Sequence, residues 1–505
     1  MGGMNATRET TSSTPAQRSR VVVVVGGGLA GLVAAESLQA VGTVGSSPGE
    51  SCRPRVILVE AAGRAGGVVE TVRRDGWLIE RSADNFLAAR PEGMALVDRL
   101  GLSDELISVF EPARRALVFR AGRTFPVPSG FRLLAPGLAA GIEATEILTA
   151  EGKARLLAER HVPPKPTAPG DRGDESLESF ALRRLGREAF DRLVQPLVAG
   201  IWTADPARLS MAAACPEFLR MEQEYGSLSA AEETRLGNLG TAHRAEGARY
   251  GQFVSLASGM GTLPERLAER LEVAGVERRR AAVTGLQRRP GGAWRVSLDR
   301  AVAGSEAIEA DGVVLALRAP IAARVLATAD ATLAADLAGI DYAGSSVVVL
   351  GYAREQVAHP LDAAGVVVPR VEGRRSLAVS FSTSKFPGRA PEGHVLLRVF
   401  LGGALDPERN LLDDDQLVAL AQEELAAIVG ASGAPKLVEI ARWPAAMPQY
   451  HLGHLDRLER LTRRLDTLPG LALAGAAYEG VGIPQVIASG QAAAERVLAS
   501  LRATG

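Results

Sequence analysis

The residues with the clearest chemical use in this chain are glycines. Gly26-Gly27-Gly28-Leu29-Ala30-Gly31 satisfies G-x-G-x-x-G. In that spacing Gly26 permits a tight turn, Gly28 lets the backbone approach a pyrophosphate, and Gly31 lets a helix pack closely on a strand. The N-terminus of the helix would face the negative charge of the phosphates. Glu60 closes a second apolar run and offers a carboxylate to both hydroxyls of a ribose, whereas it would repel a 2′-phosphate. It falls 29 residues beyond Gly31, more than the ~20 usual for such an acid, and the turn-rich insertion 42–54 absorbs the excess. An adenine dinucleotide without a 2′-phosphate, NAD or FAD, is implied. Beyond Glu60 and Ala61 come Arg64 and the doublet Gly66-Gly67, which place a guanidinium and bare backbone beside the same pyrophosphate and favour FAD. Only one glycine fingerprint occurs, so electrons are expected straight from a substrate, to be passed on to oxygen or a quinone.

Other chemistry is sparse. The 6 histidines are scattered, and His451-x-x-His454 lacks the glutamate of a zincin, so a surface or hydrogen-bonding role is expected and no metal. Cys52 and Cys215 are the only cysteines, which excludes a disulfide scaffold and fits a reducing cytoplasm. With 57 basic residues against 58 acidic ones, no overall field draws the chain to nucleic acid. A composition 47% hydrophobic and 23% charged is that of a folded enzyme, neither disordered nor collagen-like.

The elements that must position these residues are expected to form an α/β fold, a Rossmann-like FAD-binding domain with a strand-rich substrate domain and a helical insertion. Five consecutive valines, Val21 to Val25, suit a parallel strand buried on both faces, followed by a helix from Leu29 and a second strand at 55–60. Amphipathic helices are expected over 177–198. Short strands are expected at 293–298 and 312–317, then at 345–352, 365–368, 377–381 and 394–401. The last strand, 471–474, leads through Gly475 to a helix over 487–501. The 505 residues divide into a tail (1–20), a discontinuous FAD-binding domain (21–90, 250–320, 441–505), a helical domain (91–210), a connecting segment (211–249) and a substrate domain (321–440). A Pro-rich linker is expected at 162–174. The stretch 131–150 is interrupted by Arg132, Pro136, Glu143 and Glu146, so it reads as a buried helix face carrying Leu133, Leu134, Leu138, Ile142 and Ile147, not a membrane span.

Several longer motifs carry a resemblance. They are Arg64-Ala-Gly-Gly; Gly76-Trp-Leu-Ile-Glu80-Arg-Ser-Ala-Asp-Asn-Phe86; Gln195-Pro-Leu-Val-Ala-Gly-Ile-Trp202; Arg442-Trp-Pro-Ala-Ala-Met-Pro-Gln-Tyr450; and Gly475-Ala-Ala-Tyr-Glu-Gly-Val-Gly-Ile-Pro484. In these the chain resembles the flavin amine oxidase superfamily, and within it the protoporphyrinogen and bacterial coproporphyrinogen oxidase family. The resemblance implies noncovalent FAD bound by the loop Gly26 to Gly31, Glu60, Ala61, Val68, the loop Ser82, Ala83, Asp84 and Asn85, the strand residue Val283, Trp443, Gly475, and Val481, Gly482 and Ile483. Neither cysteine lies in the C-terminal glycine segment that carries a covalent flavin in some relatives. It implies a porphyrinogen pocket at Gly200, Gly365, Val367 and Phe400, the last otherwise a plain core aromatic, with Arg115 facing a propionate. Gly200 is the catalytic candidate, through its carbonyl and the ring N–H groups.

The implied reaction is oxidation of a porphyrinogen in heme biosynthesis by three hydride transfers to flavin, with dioxygen reduced to hydrogen peroxide. An amine oxidase, a carotenoid desaturase, or a non-catalytic FAD-binding assembly protein are the competing readings. The resemblance admits a homodimer, and a hydrophobic product admits a peripheral membrane contact. The resemblance also offers Lys385 as the lysine that holds a water near the flavin in amine oxidases, against which Ser-Thr-Ser-Lys-Phe-Pro reads as a loop. Ser82-Ala83 stands where many members have Gly-Pro, and Arg318 where they have a proline.

Overall fold

The computed structural model describes residues 20–40, 53–166, 174–237, 252–299 and 306–503. The expected tail before Arg20, most of the insertion 42–54, residues 167–173 and the end of the connecting segment lie outside the described residues. The five valines form a strand, Val21–Val25, at the centre of a parallel sheet. Its strand order is Glu277–Arg280, Arg55–Glu60, Val21–Val25, Gly312–Leu315, Leu471–Leu473. Alternation sends Val22 and Val24 to one face, against the helices Leu29–Ala40 and Ile483–Ala503, and Val23 and Val25 to the other. The second face is covered by helices Ala319–Leu326 and Ala331–Ala338 and by a three-stranded antiparallel sheet over 283–310. Each fully buried valine contributes roughly 1.5–3 kcal/mol, so an all-apolar run is stable only between two such layers.

A second, seven-stranded sheet stands beside the first. Its order is Leu437–Pro448, Tyr342–Ala353, His394–Gly402, Ser376–Phe381, Gly365–Val367, Ala116–Arg120 and Arg123–Pro126. The last two form a hairpin whose turn, Ala121-Gly122, has positive φ at both residues (48° and 79°), the geometry that matches strand twist. The hairpin corrects the expected boundary, because it lies inside the stretch assigned to helices. Its parallel pairing with Gly365–Val367 joins residues far apart in sequence and leaves no local signal. Helix Asp414–Val429 packs against one face of this sheet.

The helices from Ala150 to Gly237 close the third side of the molecule. Leu177–Leu185 and Gln195–Trp202 are joined through a short helix and a π turn at Phe190–Val194. Met211, Cys215, Phe218 and Leu228 share their apolar core, so 211–237 is part of the helical region, not a connector. Within 131–149 only Ala139–Ala144 is helical, and Ala150 opens the next helix. Pro136 and Gly137 break the pattern, and Leu133, Leu134, Ile142 and Ile147 reach the same core largely from loop backbone. Among the described residues no helix is long and apolar enough to cross a membrane.

Candidate functional site

The glycine loop sits at the carboxyl edge of the parallel sheet, between Val25 and the helix that opens at Leu29 and Ala30. A Cβ on Gly31 would lie 1.9 Å from the Gly26 carbonyl oxygen, and one on Gly26 (φ 103°) 2.4 Å from that of Ala316. The Gly26 to Gly31 turn can therefore carry no side chains at these two positions. Glu60 ends the neighbouring strand, and its carboxylate accepts from the N–H groups of Gly27 and Ala62. The doublet folds back onto the loop, with the Gly66 N–H donating to the Gly27 carbonyl at 2.8 Å. Gly28 and Gly475 face open space: a Cβ on Gly28 meets only Gly67 Cα, at 3.9 Å, and one on Gly475 meets nothing within 4 Å. A bare backbone floor, a helix N-terminus and an acid at the strand end fit an adenine dinucleotide.

The other expected cofactor residues surround this floor. Ala61 and Val68 are exposed. Val283 follows closely on Arg280, which pairs in register with Glu60. Arg64 is turned onto its own loop, donating to the Ala65 carbonyl at 3.1 Å and to that of Gly67, and it pairs with Glu70 at 2.9 Å. The Ser82 hydroxyl donates to the Val68 carbonyl, and the Trp443 indole to the Arg81 carbonyl at 2.7 Å. Two departures from the family pattern thus have local partners: Ser82, and Arg318, whose guanidinium donates to the Pro444 and Ala445 carbonyls at 2.9 and 3.0 Å.

A cleft of about 1060 Å³ opens beside this region. One wall is formed by Ala83, Asp84 and Asn85 with Val481, Gly482 and Ile483; the other holds Gly365, Val367 and Phe400 of the second sheet. Gly200 closes one end from the last turn of its helix, where a Cβ would meet nothing within 4 Å. Arg115 also lines the cleft, but its guanidinium is already paired with Asp362, through the carboxylate and through the Asp362 carbonyl at 3.0 Å. Cys215 lines the cleft as well.

Sequence reading names Asp84 and Lys385 separately but not Arg398 or the contacts that join the three. Lys385 belongs to a helical turn, Ser382–Lys385, and is 7% exposed. Its ammonium and the Arg398 guanidinium, the latter at 2.9 Å, both contact Oδ2 of Asp84, while Oδ1 accepts from Asn85 at 2.7 Å. Burial alone would raise the Asp84 carboxyl, but the Lys385, Arg398 and Arg389 charges outweigh it and hold the group down to about 2. Burial moves the Lys385 ammonium below its ordinary range despite Asp84, and repulsion from Arg398 and Arg389 adds to this. Arg398 also donates to the Ser82 carbonyl and lies 5.1 Å over the Phe400 ring. Two strand positions separate Arg398 from Phe400, so the period of 2 was an available signal that they share a face. Lys385, expected in a loop, sits instead in the short helical turn Ser382–Lys385. His454, expected at a surface or in a hydrogen bond, is 3% exposed and stacked on Tyr450 at 4.1 Å and 12°, and burial lowers its pKa to about 4.

Residues 29–498 match the family described as flavin containing amine oxidoreductase. The chain is 32% identical to the coproporphyrinogen III oxidase of Bacillus subtilis over 95% of this chain and 98% of that one. It is 31% identical to the human protoporphyrinogen oxidase, again over 95% and 98%. Among solved structures it is similar to an Exiguobacterium protein provisionally named protoporphyrinogen oxidase, with a TM-score of 0.81 and 28% identity over 96% of this chain and 100% of that one.

Proposed function

Because the chain belongs to the flavin containing amine oxidoreductase family, we propose that it is an FAD-dependent oxidase of a porphyrinogen in heme biosynthesis. It converts coproporphyrinogen III or protoporphyrinogen IX to the corresponding porphyrin, with dioxygen as final acceptor. The observation that carries this reading is a cleft of about 1060 Å³ between the loops expected to hold a flavin ring and the sheet expected to hold a macrocycle. That volume is at the upper end of small-molecule sites, as a tetrapyrrole requires.

The noncovalent flavin supplies an acceptor for each hydride that leaves a meso carbon. Everything else falls to side chains and backbone of this protein. The Gly26 to Gly31 loop and Gly66-Gly67 take the pyrophosphate, and Glu60 the ribose. The loop Ser82 to Asn85 and Val481 to Ile483 set the plane against which substrate lies, and the Phe400 ring offers the macrocycle an apolar face. Gly365 keeps that wall flat, since its Cβ would lie 2.4 Å from the Val379 carbonyl oxygen. The last carbonyls of a helix have no partner within it, so Gly200 offers its carbonyl to polarised pyrrole N–H groups. Orientation and exclusion of water are the main demands of such chemistry.

Turnover in air with coproporphyrinogen III, protoporphyrinogen IX, an amine and phytoene, read as porphyrin fluorescence and peroxide formed, tests the proposal. Fluorescence with a porphyrinogen and no peroxide from the other two supports it. Peroxide from the amine alone, loss of phytoene alone, or a yellow protein inert to all four, rejects it.

A further inference from the structure

Conversion of a porphyrinogen to a porphyrin removes six hydrogens, half as hydrides and half as protons. The site must therefore export protons as well as electrons. The buried charges in its wall are unequal in number. Asp84 carries two cations on one oxygen, Lys385 and Arg398. Next to them stand Glu80 and Arg389, whose remaining partners are neutral. Glu80 accepts from the Thr71 hydroxyl at 2.6 Å and the Met260 N–H at 2.8 Å. Arg389 donates to the Leu256 and Ala257 carbonyls and the Ser255 hydroxyl, at 2.9, 3.0 and 3.0 Å. All five side chains are buried, so three cations face two carboxylates away from water. A buried surplus charge is costly. Guanidinium groups do not deprotonate in proteins, so of the three cations Lys385 is the one that can shed the surplus as a proton. With Lys385 neutral, Arg398 balances Asp84 and Arg389 balances Glu80.

We propose that Lys385, as the free amine at the wall of the cleft, accepts the proton that leaves the macrocycle after each hydride, a pyrrole N–H proton in two rounds and a meso C–H proton in the round that completes the conjugation. The proposal rests on the porphyrinogen reading above. Departure of a hydride with both electrons of a meso C–H bond leaves an iminium on the ring. In two rounds the N–H bond then breaks, its electron pair stays on nitrogen as the imine lone pair, and the proton forms the third N–H bond of the Lys385 ammonium. In the other a meso C–H bond breaks, its electron pair enters the ring double bonds, and the proton goes to the same amine. Asp84 steadies that ammonium, and Lys385 passes its proton to water before the next round. Burial, with Arg398 and Arg389 opposing Asp84, shifts the amine in the direction that a base acting from its neutral form needs. Asp84 cannot take this part, because Arg398 and Asn85 occupy its oxygens together with Lys385.

Two variants of the flavin-loaded enzyme and one spectroscopic titration test this. In the wild type, kcat for a porphyrinogen at saturating oxygen should fall on the acid side as Lys385 becomes protonated. K385M should lower kcat by about a hundredfold, keep its flavin, and lose that acid limb. K385R, which holds a permanent charge, should be equally slow. Separately, NMR of isotopically labelled lysine side chains in the wild type should show one amine, identified by its absence from K385R, titrating below the rest. This readout needs no turnover and decides the matter if K385M loses flavin. An unchanged kcat and acid limb in K385M, or a Lys385 nitrogen that remains an ammonium throughout the active pH range, would overturn the proposal. A wild type that oxidises no porphyrinogen overturns the substrate reading itself, whereas active wild type with an indifferent Lys385 overturns only the role of the lysine.

Discussion

The dinucleotide floor and the charged wall of the cleft meet at the loop Ser82 to Asn85, and they are built by opposite means. The floor consists of backbone: two glycines that tolerate no Cβ, two that leave open space, and N–H groups aimed at Glu60. The wall consists of long charged side chains, with Lys385 reaching Asp84 across 301 residues of sequence. A backbone site depends on the shape of one short segment, so a single methyl group ruins it. A side-chain site depends on charges balancing among several segments, so it fails when one partner is removed and bends when one is exchanged. Cofactor retention and turnover should therefore separate when the two regions are substituted in turn.

The largest effect is expected at Gly31. Gly31→Val drives a side chain into the Gly26 carbonyl, and should cost about 5 kcal/mol with loss of all flavin. The yellow colour of the purified protein and its urea midpoint check this. In the wall, Asp84→Ala strands the Arg398 guanidinium in a buried site, and a loss of about 4 kcal/mol is expected in denaturant titration. Flavin retained by a folded Gly31→Val protein would erase the distinction between the two regions.

Titration sharpens the comparison. The neutral His454 imidazole is favoured in the folded state, with its pKa moved from 6.5 to about 4. The unfolded chain binds a proton between those values and the native one does not, so the His454 contribution to stability should be level above pH 6.5 and fall by about 3 kcal/mol toward pH 4. Asp84, depressed from 3.8 to about 2, adds a further loss as pH falls through that lower window. His454→Phe, which keeps the stacking on Tyr450, should flatten the upper limb and leave the lower one in place, as stability measured against pH will reveal. The smallest effect on stability belongs to Gly200→Leu, because the added side chain enters open space. Its midpoint should move by no more than about 0.5 kcal/mol, with flavin retained, while porphyrin formation drops by about a hundredfold as the leucine blocks approach.

The same contrast explains what could be read in the chain beforehand. Five valines, a glycine loop and an acid at a strand end are local signals, and Val21–Val25, Leu29–Ala40 and Arg55–Glu60 appear where periodicity places them. The C-terminal helix begins at Ile483, before the expected 487, because its first turn carries Pro484 and follows directly on Gly482. The hairpin at 116–126 was read as part of the helical region, since its pairing with Gly365–Val367 is set by tertiary contact. Gly200, Gly365, Val367 and Phe400 converge on one cleft, but they could be named in advance only by resemblance. Lys385 reads as a loop residue because four residues, Ser382–Lys385, make too short a helical turn to leave a pattern. The resemblance sets Arg115 against a propionate, and its pairing with Asp362 leaves no signal because that residue lies on a distant segment.

The proposed function requires that flavin held by the backbone floor and a tetrapyrrole held by the wall meet in one cleft. The direct measurement is anaerobic addition of coproporphyrinogen III or protoporphyrinogen IX to the flavin-loaded protein, with visible flavin absorbance and porphyrin fluorescence followed together. Loss of flavin colour in step with the appearance of fluorescence is the expected result. Persistent colour with both porphyrinogens, or a protein that stays colourless after incubation with FAD, would contradict it.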